Sequence, residues 1–185
     1  MYLSSAVLII IIFIIIAVYV SLSFIYKLEA KEVVGTLKQD NLTGSTDTDR
    51  IIGRSGNDTL IGLAGNDLII GDTGSDTIRG SEGDDYLIGG KNNDTIEGDT
   101  GDDQIEGDTG DDYIFGGDGD DSLFGGLGND RVDGGNGNDN IFAGPNNDIL
   151  SGGNGTDYFD CGWGKDQILD FSFDEGDVRS VNCEN

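Results

Sequence analysis

Hydrophobic residues follow two different patterns along the chain. From Ala6 to Tyr26, 21 consecutive residues carry no charge, and most of them are Ile, Leu, Val or Phe. From residue 35 to residue 169, an apolar residue instead returns at every ninth position, with glycine and polar residues between. The first pattern predicts one long apolar helix, and the second predicts many short strands joined by tight turns.

The N-terminal apolar segment is long enough to cross a membrane. At about 1.5 Å per residue a helix of this length reaches about 31 Å, which is close to the thickness of a bilayer core. A retained anchor and a cleaved signal peptide are both consistent with residues 1–30. Residues 1–5 contain no Lys or Arg, and Ala30 is the only small residue near a cleavage position, so the anchor is favoured. Lys27 and Lys31 follow the segment and favour a cytoplasmic C-terminal side.

The second pattern is a nine-residue repeat. Read in nines from Gly35, the sequence gives 15 consecutive repeats that end at Leu169. Position 1 is Gly in 13 repeats, position 4 is Gly in 11, and positions 6 and 8 are Asp and an apolar residue in all 15. Glycine at positions 1, 2 and 4 permits positive φ and close backbone approach. Alternation along a strand directs position 8 inward and positions 7 and 9 outward.

The charged residues and the lack of His limit the functions that the protein can have. The chain has 36 Asp and Glu against 10 Lys and Arg, a net charge of -26, and no His. The lack of His excludes Ser-His-Asp catalysis and His-ligated zinc, and the negative charge argues against a nucleic-acid partner. Aligned Asp residues repel one another unless a cation neutralises them. Ca²⁺ suits such oxygen ligands better than Mg²⁺, which demands a tight octahedron.

The repeat resembles the RTX, or hemolysin-type, calcium-binding nonapeptide GGxGxDxUx. Clear matches begin at Gly116, Gly125 and Gly134. The resemblance implies an all-β fold, a right-handed parallel β-roll with two repeats in each coil. It also implies several Ca²⁺ ions, each held between Asp residues 18 positions apart and by loop carbonyls. The implied metal residues are Asp49, Asp58, Asp67, Asp76, Asp85, Asp94, Asp103, Asp112, Asp121, Asp130, Asp139, Asp148, Asp157 and Asp166.

Some repeats depart from the RTX pattern. Lys38 and Asp47 replace Gly at position 4 of the first two repeats, and Ala143 and Cys161 replace Gly at position 1. We expect some of these irregular loops to hold no ion, which gives roughly eight to eleven ions. One apolar side chain per repeat is little to hold a core, so ion binding is expected to drive folding. Weak modular calcium sites are typical of extracellular proteins, which places the roll outside the cell.

The outer surface and the C-terminal tail carry two further predictions. Even-numbered repeats place an apolar row on one sheet, which is either tolerated there or serves self-association or a protein partner. Its residues are Ile52, Leu68, Ile70, Tyr86, Ile88, Phe124 and Phe142. Residues 170–185 are expected to cap the last coil with Phe171, Phe173 and Trp163. Cys161 and Cys183 are the only cysteines, and export favours a disulfide between them over free thiols.

The function expected from these features is non-enzymatic. Little sequence separates residues 1–30 from the repeats at 35–169, which leaves no room there for a catalytic domain. We therefore expect a secreted or surface-anchored calcium-binding roll with a structural or adhesive role at the cell envelope. The alternative is a calcium-triggered accessory or folding module for a separate secreted enzyme or toxin. A minor alternative is ice or surface binding through Thr59, Thr77 and Thr95.

Overall fold

The protein forms a parallel β-solenoid in the computed structural model, which describes residues 31–183. The predicted N-terminal anchor lies outside these residues. Within residues 31–183 there is no helix long and apolar enough to cross a membrane. The described part is all-β, as the repeat predicts, and consists of two parallel sheets.

Successive strands alternate between the two sheets. The nine-stranded sheet contains β1 (Lys31–Val34), β3 (Asp49–Ser55), β5 (Leu68–Thr73), β7 (Tyr86–Lys91), β9 (Gln104–Thr109), β11 (Ser122–Phe124), β13 (Asn140–Phe142), β15 (Tyr158–Asp160) and β17 (Val178–Arg179). The eight-stranded sheet contains β2 (Asn41–Thr43), β4 (Thr59–Ala64), β6 (Thr77–Glu82), β8 (Thr95–Thr100), β10 (Tyr113–Asp118), β12 (Arg131–Asn136), β14 (Ile149–Asn154) and β16 (Gln167–Ile168). Each coil therefore uses two repeats, and there are about eight coils.

The register of the sheets follows from the repeat length. Ile69 on β5 lies between Ile51 on β3 and Leu87 on β7, and each step is 18 residues. Because two nine-residue repeats complete a coil, equivalent positions stack directly on one another. Equivalent positions of alternate repeats thus form rows along the solenoid axis.

The core is a double column of position-8 side chains. Each of these residues from Ile51 to Phe159 is at most 1% exposed. Leu42 and Ile168, at the two ends, are partly buried and pack against the same core. The prediction that position 8 faces inward is therefore confirmed. One apolar residue per strand thus makes up most of the core.

Positions 1, 2 and 4 of each loop differ in the backbone conformation that they require. Positive φ occurs at positions 2 and 4, where even Arg54 (φ 82°) and Asn92 (φ 77°) adopt it. The position-1 glycines do not have positive φ, so the expectation of positive φ is wrong there. Position 1 requires Gly for close approach instead, as the geometry of the Asp residues makes clear below.

The C-terminal tail leaves the repeat and then rejoins the fold. β17 pairs with β15, and Val178 lies opposite Tyr158, 20 residues earlier instead of 18. Cys161 and Cys183 form the predicted disulfide, with their Cα atoms 5.0 Å apart. Phe171 packs on the core, with its ring 6.1 Å from that of Phe159.

Two of the three residues expected to cover the last coil do not do so. Trp163 is 81% exposed and Phe173 is 77% exposed. The Phe173 ring lies 4.7 Å from the Phe171 ring, which packs on the core. The prediction is therefore wrong for Trp163 and Phe173, because the tail is held by pairing of β17 with β15 and by the disulfide, and both rings remain exposed.

The apolar outer row lies on the nine-stranded sheet. Ile52, Ile70 and Ile88 are stacked in register and are half-buried. Phe124 stacks on Phe142 with ring centroids 4.9 Å apart. Neighbouring side chains in this row thus cover part of one another's apolar surface. A partner for this face stays a prediction.

Candidate metal centre

The Asp residues at position 6 form two buried columns, one along each edge of the solenoid. Each Asp lies where a loop enters a strand, so the 18-residue register stacks it on its equivalents. Of the 14 predicted metal residues, the 13 from Asp49 to Asp157 are at most 3% exposed. Asp166, in the last repeat, is half-buried. The pattern therefore placed these residues correctly in space, and their role as ligands stays a prediction.

One carboxylate oxygen of each Asp binds the neighbouring coil. The Asp58 N–H donates to Asp76 Oδ1 at 2.7 Å, and the Asp103 N–H donates to Asp121 Oδ1 at 2.8 Å. The same bond recurs at 18-residue intervals along both columns. The Asp residues paired in sequence are thus joined by hydrogen bonds. This bond satisfies the Oδ1 atom and orients the carboxylate.

The second oxygen has no protein partner over most of the solenoid. Eleven consecutive Oδ2 atoms are buried without a hydrogen bond, and they belong to Asp58, Asp67, Asp76, Asp85, Asp94, Asp103, Asp112, Asp121, Asp130, Asp139 and Asp148. A buried carboxylate oxygen without a partner is costly, because it has lost its hydration. A repeated orphan oxygen therefore points to a ligand that binds the same atom in every loop.

The position-1 glycine leaves space beside each orphan oxygen. A Cβ on Gly53 would lie 2.5 Å from Asp58 Oδ2 and 2.9 Å from the carbonyl oxygen of Gly71. The same two kinds of oxygen surround every position-1 glycine from Gly35 to Gly134, at 3.0 Å or less. The loops therefore bring a carboxylate oxygen and a main-chain carbonyl oxygen together around a cradle without side chains. In the loop of Asp148, the methyl group of Ala143 stands in this position.

This donor set fits Ca²⁺. No group of three or more His, Cys, Asp or Glu side chains converges on a metal position within residues 31–183. Each loop offers one buried carboxylate, at position 6, and a main-chain carbonyl oxygen lies beside it. Ca²⁺ accepts six to eight oxygen ligands in flexible geometry, including backbone carbonyls, whereas zinc prefers Cys and His.

The raised pKa values of the buried Asp residues also indicate that a cation is needed to keep these carboxylates ionised. The pKa of Asp121 is raised to about 8, chiefly by burial and also by nearby carboxylates, although the hydrogen bond from the Asp103 N–H lowers it. The same causes, with burial first, raise the pKa of Asp94, Asp103, Asp112 and Asp139 to about 7, and the pKa of Asp67, Asp85, Asp130 and Asp148 to about 6. Negative charge is thus disfavoured at the orphan oxygens unless a positive ion is near.

Asp177 belongs to the columns but was not predicted to do so. It is 5% exposed, and its Oδ1 accepts the Asp157 N–H at 3.1 Å. The tail contains two extra residues before it, so the nine-residue spacing does not reach this position. Arg179 also replaces the expected apolar residue at the inward position of that strand. The only remaining signal in the sequence is the Gly176-Asp177 pair before a β-branched residue.

The fold and the donor set together define a calcium-binding parallel β-roll. A family profile described as the RTX calcium-binding nonapeptide repeat (4 copies) matches residues 34–69, 43–78, 61–96, 70–105, 97–132 and 133–168. These matches span residues 34–168, well over half of the 185-residue chain, so the protein belongs to the RTX calcium-binding repeat family. Its repeats bind several Ca²⁺ ions, and a roll of this kind is a structural domain instead of a catalytic fold. No curated protein matches the chain.

Proposed function

We propose that the protein is a secreted or surface-anchored β-roll that folds when it binds calcium and that has a structural or adhesive role at the cell envelope. The observation that carries this proposal is the series of eleven buried, unpartnered Asp Oδ2 atoms. A column of this kind is unfavourable by itself and becomes favourable when each oxygen contacts a cation.

The balance of interactions supports folding that depends on ions. The core consists of one buried side chain per strand, and the chain carries a net charge of -26. The free energy of this thin core is opposed by chain entropy and by repulsion within the Asp columns. When bound, Ca²⁺ supplies positive charge and oxygen coordination to the loops, and its binding free energy becomes folding free energy. From Asp58 to Asp148, each carboxylate is oriented by a backbone N–H that donates to its Oδ1.

Two features support a location outside the cell. The Cys161–Cys183 disulfide is of a type that persists in oxidising compartments. Modular calcium sites that bind at roughly 10⁻⁴ to 10⁻³ M are suited to extracellular calcium. The apolar segment from Ala6 to Tyr26 would supply either the export signal or the anchor.

A calcium titration followed by far-UV circular dichroism tests the folding proposal. The full chain is purified in detergent, depleted of metal and titrated with CaCl₂, and MgCl₂ is the matched control. We expect a cooperative change from coil to β-structure at sub-millimolar to millimolar calcium, on the order of 10⁻⁴ to 10⁻³ M, and no such change with magnesium. A β-rich spectrum that is already complete in chelator would overturn the proposal.

A further inference from the structure

We infer that Thr36 and Ser45 keep calcium out of the first two loops, so that the ion-binding part of the roll begins at the loop of Asp58. This inference rests on the proposed calcium function and assigns the boundary of the same sites. It concerns Asp40 and Asp49, which have the position-6 carboxylate of every other repeat.

The carboxylates of the first two loops are already satisfied by the protein. Asp40 Oδ2 accepts the Thr36 N–H at 2.6 Å and the Thr36 hydroxyl at 2.9 Å. Asp49 Oδ2 accepts the Ser45 N–H. In the next eleven loops the equivalent oxygen has no hydrogen-bond partner. The first two loops therefore differ from the next eleven at one atom, the Oδ2 of the position-6 Asp.

The backbone at position 2 accounts for this difference. From Arg54 to Ser81, and again at Asp99 and Asp108, position 2 has positive φ, and glycine occupies it in the later loops. Thr36 and Ser45 do not have positive φ. A change in the sign of φ rotates the peptide, so the position-2 N–H points toward the carboxylate in one loop form and away from it in the other.

The hydroxyl groups of Thr36 and Ser45 stabilise the loop form in which the position-2 N–H points toward the carboxylate. Thr36 Oγ1 accepts the Lys38 N–H at 3.2 Å, and Ser45 Oγ accepts the Asp47 N–H at 3.3 Å. Such local turns, closed by a Ser or Thr hydroxyl, hold the loop backbone. Glycine, which occupies position 2 in many later loops, has no hydroxyl and could not form them.

An N–H donor at the carboxylate excludes a cation from it. The donor fills one face of the oxygen and presents partial positive charge, which repels Ca²⁺. The other end of the roll is closed in the same way, because Asp177 Oδ2 accepts the Ser172 N–H at 2.7 Å. Solenoids require distinct terminal units, and these loops close both ends without an ion.

Counting the bound ions in matched variants tests this assignment. Asp49→Asn and Asp67→Asn change consecutive members of one column, both almost fully buried and each with an Oδ1 that accepts a backbone N–H. The full chain is folded in calcium and passed through gel filtration, and its calcium-to-protein ratio is measured by elemental mass spectrometry. We expect Asp67→Asn to lose at least one ion and Asp49→Asn to keep the full number.

A gain of sites is the complementary test. Thr36→Gly combined with Ser45→Gly removes both hydroxyls and permits positive φ, so we expect the ion count to rise. Ser45→Thr keeps the hydroxyl group that holds this loop form and should leave the count unchanged. An unchanged count in the double glycine variant, or equal ion loss in Asp49→Asn and Asp67→Asn, would overturn the inference and leave calcium binding intact. A parent chain that binds no calcium would instead overturn the proposed function.

Discussion

Each Asp at position 6 divides two tasks between its two oxygen atoms. At Asp76, Oδ1 accepts the N–H of Asp58 and links one coil to the next, while Oδ2 stays without a protein partner. Glycine is the usual companion, because a Cβ at position 1 enters the space beside Oδ2, as that of Ala143 does in the loop of Asp148. The position-1 glycine and the position-6 Asp thus serve the same small volume.

Gly107→Ala tests the need for this space. The new Cβ would lie 2.5 Å from the Gly125 carbonyl oxygen and 2.6 Å from Asp112 Oδ2. We expect loss of the ion of this loop and destabilisation of the calcium-bound roll by roughly 1–3 kcal/mol, as for other overpacked sites. Urea unfolding in saturating calcium measures the change.

The matched control for this variant is Ser122→Ala. Ser122 is half-buried on β11 and bonds to the neighbouring coil through its backbone N–H, which the substitution keeps. It should leave both the stability and the ion count near those of the parent. If Gly107→Ala behaved like this control, the space beside Asp112 would not be needed for calcium.

The raised pKa values predict opposite pH effects on the calcium-free and calcium-bound roll. The pKa of Asp121 is about 8 and that of Asp103 is about 7 in the fold, against 3.8 as the ordinary value. A raised folded-state pKa means that the folded chain binds more protons than the unfolded chain. The resulting stabilisation is full below about pH 4 and is lost as pH rises through about 7 to 8. Without calcium, we therefore expect more β-structure at about pH 5 than at about pH 8.

The same protons compete with calcium. Because the ligand carboxylates must be ionised, the calcium midpoint should fall as the pH rises from about 6 to about 8. Circular dichroism in calcium-free buffer and calcium titrations at several pH values measure both effects. A calcium midpoint that does not depend on pH would contradict the raised pKa values of the Asp columns.

Residue-level features were predictable where the period is strict. The inward position of Ile105 and the alignment of Asp103 with Asp121 follow from spacing alone. The positive φ of Leu63 and Arg54 was not predictable, because neither residue type favours it. There the contacts of neighbouring coils impose a conformation that local sequence preference opposes.

At the scale of the strands, pairing is continuous although individual strands are short. Strands of three residues, such as β11, β13 and β15, remain in register with neighbours of the same sheet. At the C-terminal end β17 has only two residues, and the disulfide from Cys183 to Cys161 secures it. The cap therefore depends on a covalent bond more than on pairing.

Removing the disulfide should weaken the calcium-bound roll from its C-terminal end. Cys161→Ser combined with Cys183→Ser opens a loop of 22 residues, which corresponds to a loss of about 3 kcal/mol. Calorimetry in saturating calcium measures the loss, and hydrogen exchange should show it most strongly at β15 and β17. The parent chain treated with reductant is the matched comparison. Equal stability with and without the bond would show that packing of Phe171 holds the cap alone.

The tail shows why element prediction fails where the period ends. Two extra residues precede Asp177, so a search at nine-residue spacing does not identify it, although the fold stacks it on Asp157. The aromatic residues Trp163 and Phe173 indicated a cover for the coil, yet both are exposed. The aromatic residues in the tail indicate that it forms a cap. The path of the chain, however, decides which aromatic side chain packs on the core.

At the scale of the whole molecule, every coil presents the same residue positions on the same face. The inner positions are uniform, whereas the outer positions vary along the roll and can carry individual functions. On the nine-stranded sheet, Ile52, Ile70 and Ile88 form an apolar run that ends at Glu106. These side chains do not belong to the buried core, which consists mainly of position-8 residues.

Ile70→Lys combined with Ile88→Lys separates the outer face from calcium binding. Both residues are half-buried and lie on the outer surface, so the lysines can extend into solvent and the core remains intact. We expect an unchanged ion count and calcium midpoint, together with loss of any self-association that the parent chain shows in sedimentation experiments. Ile61→Lys on the opposite sheet is the matched control and should preserve the oligomeric state. If the double variant changed neither calcium binding nor oligomeric state, the apolar row would have no role in self-association, and its stacking would be only a tolerated consequence of the repeat.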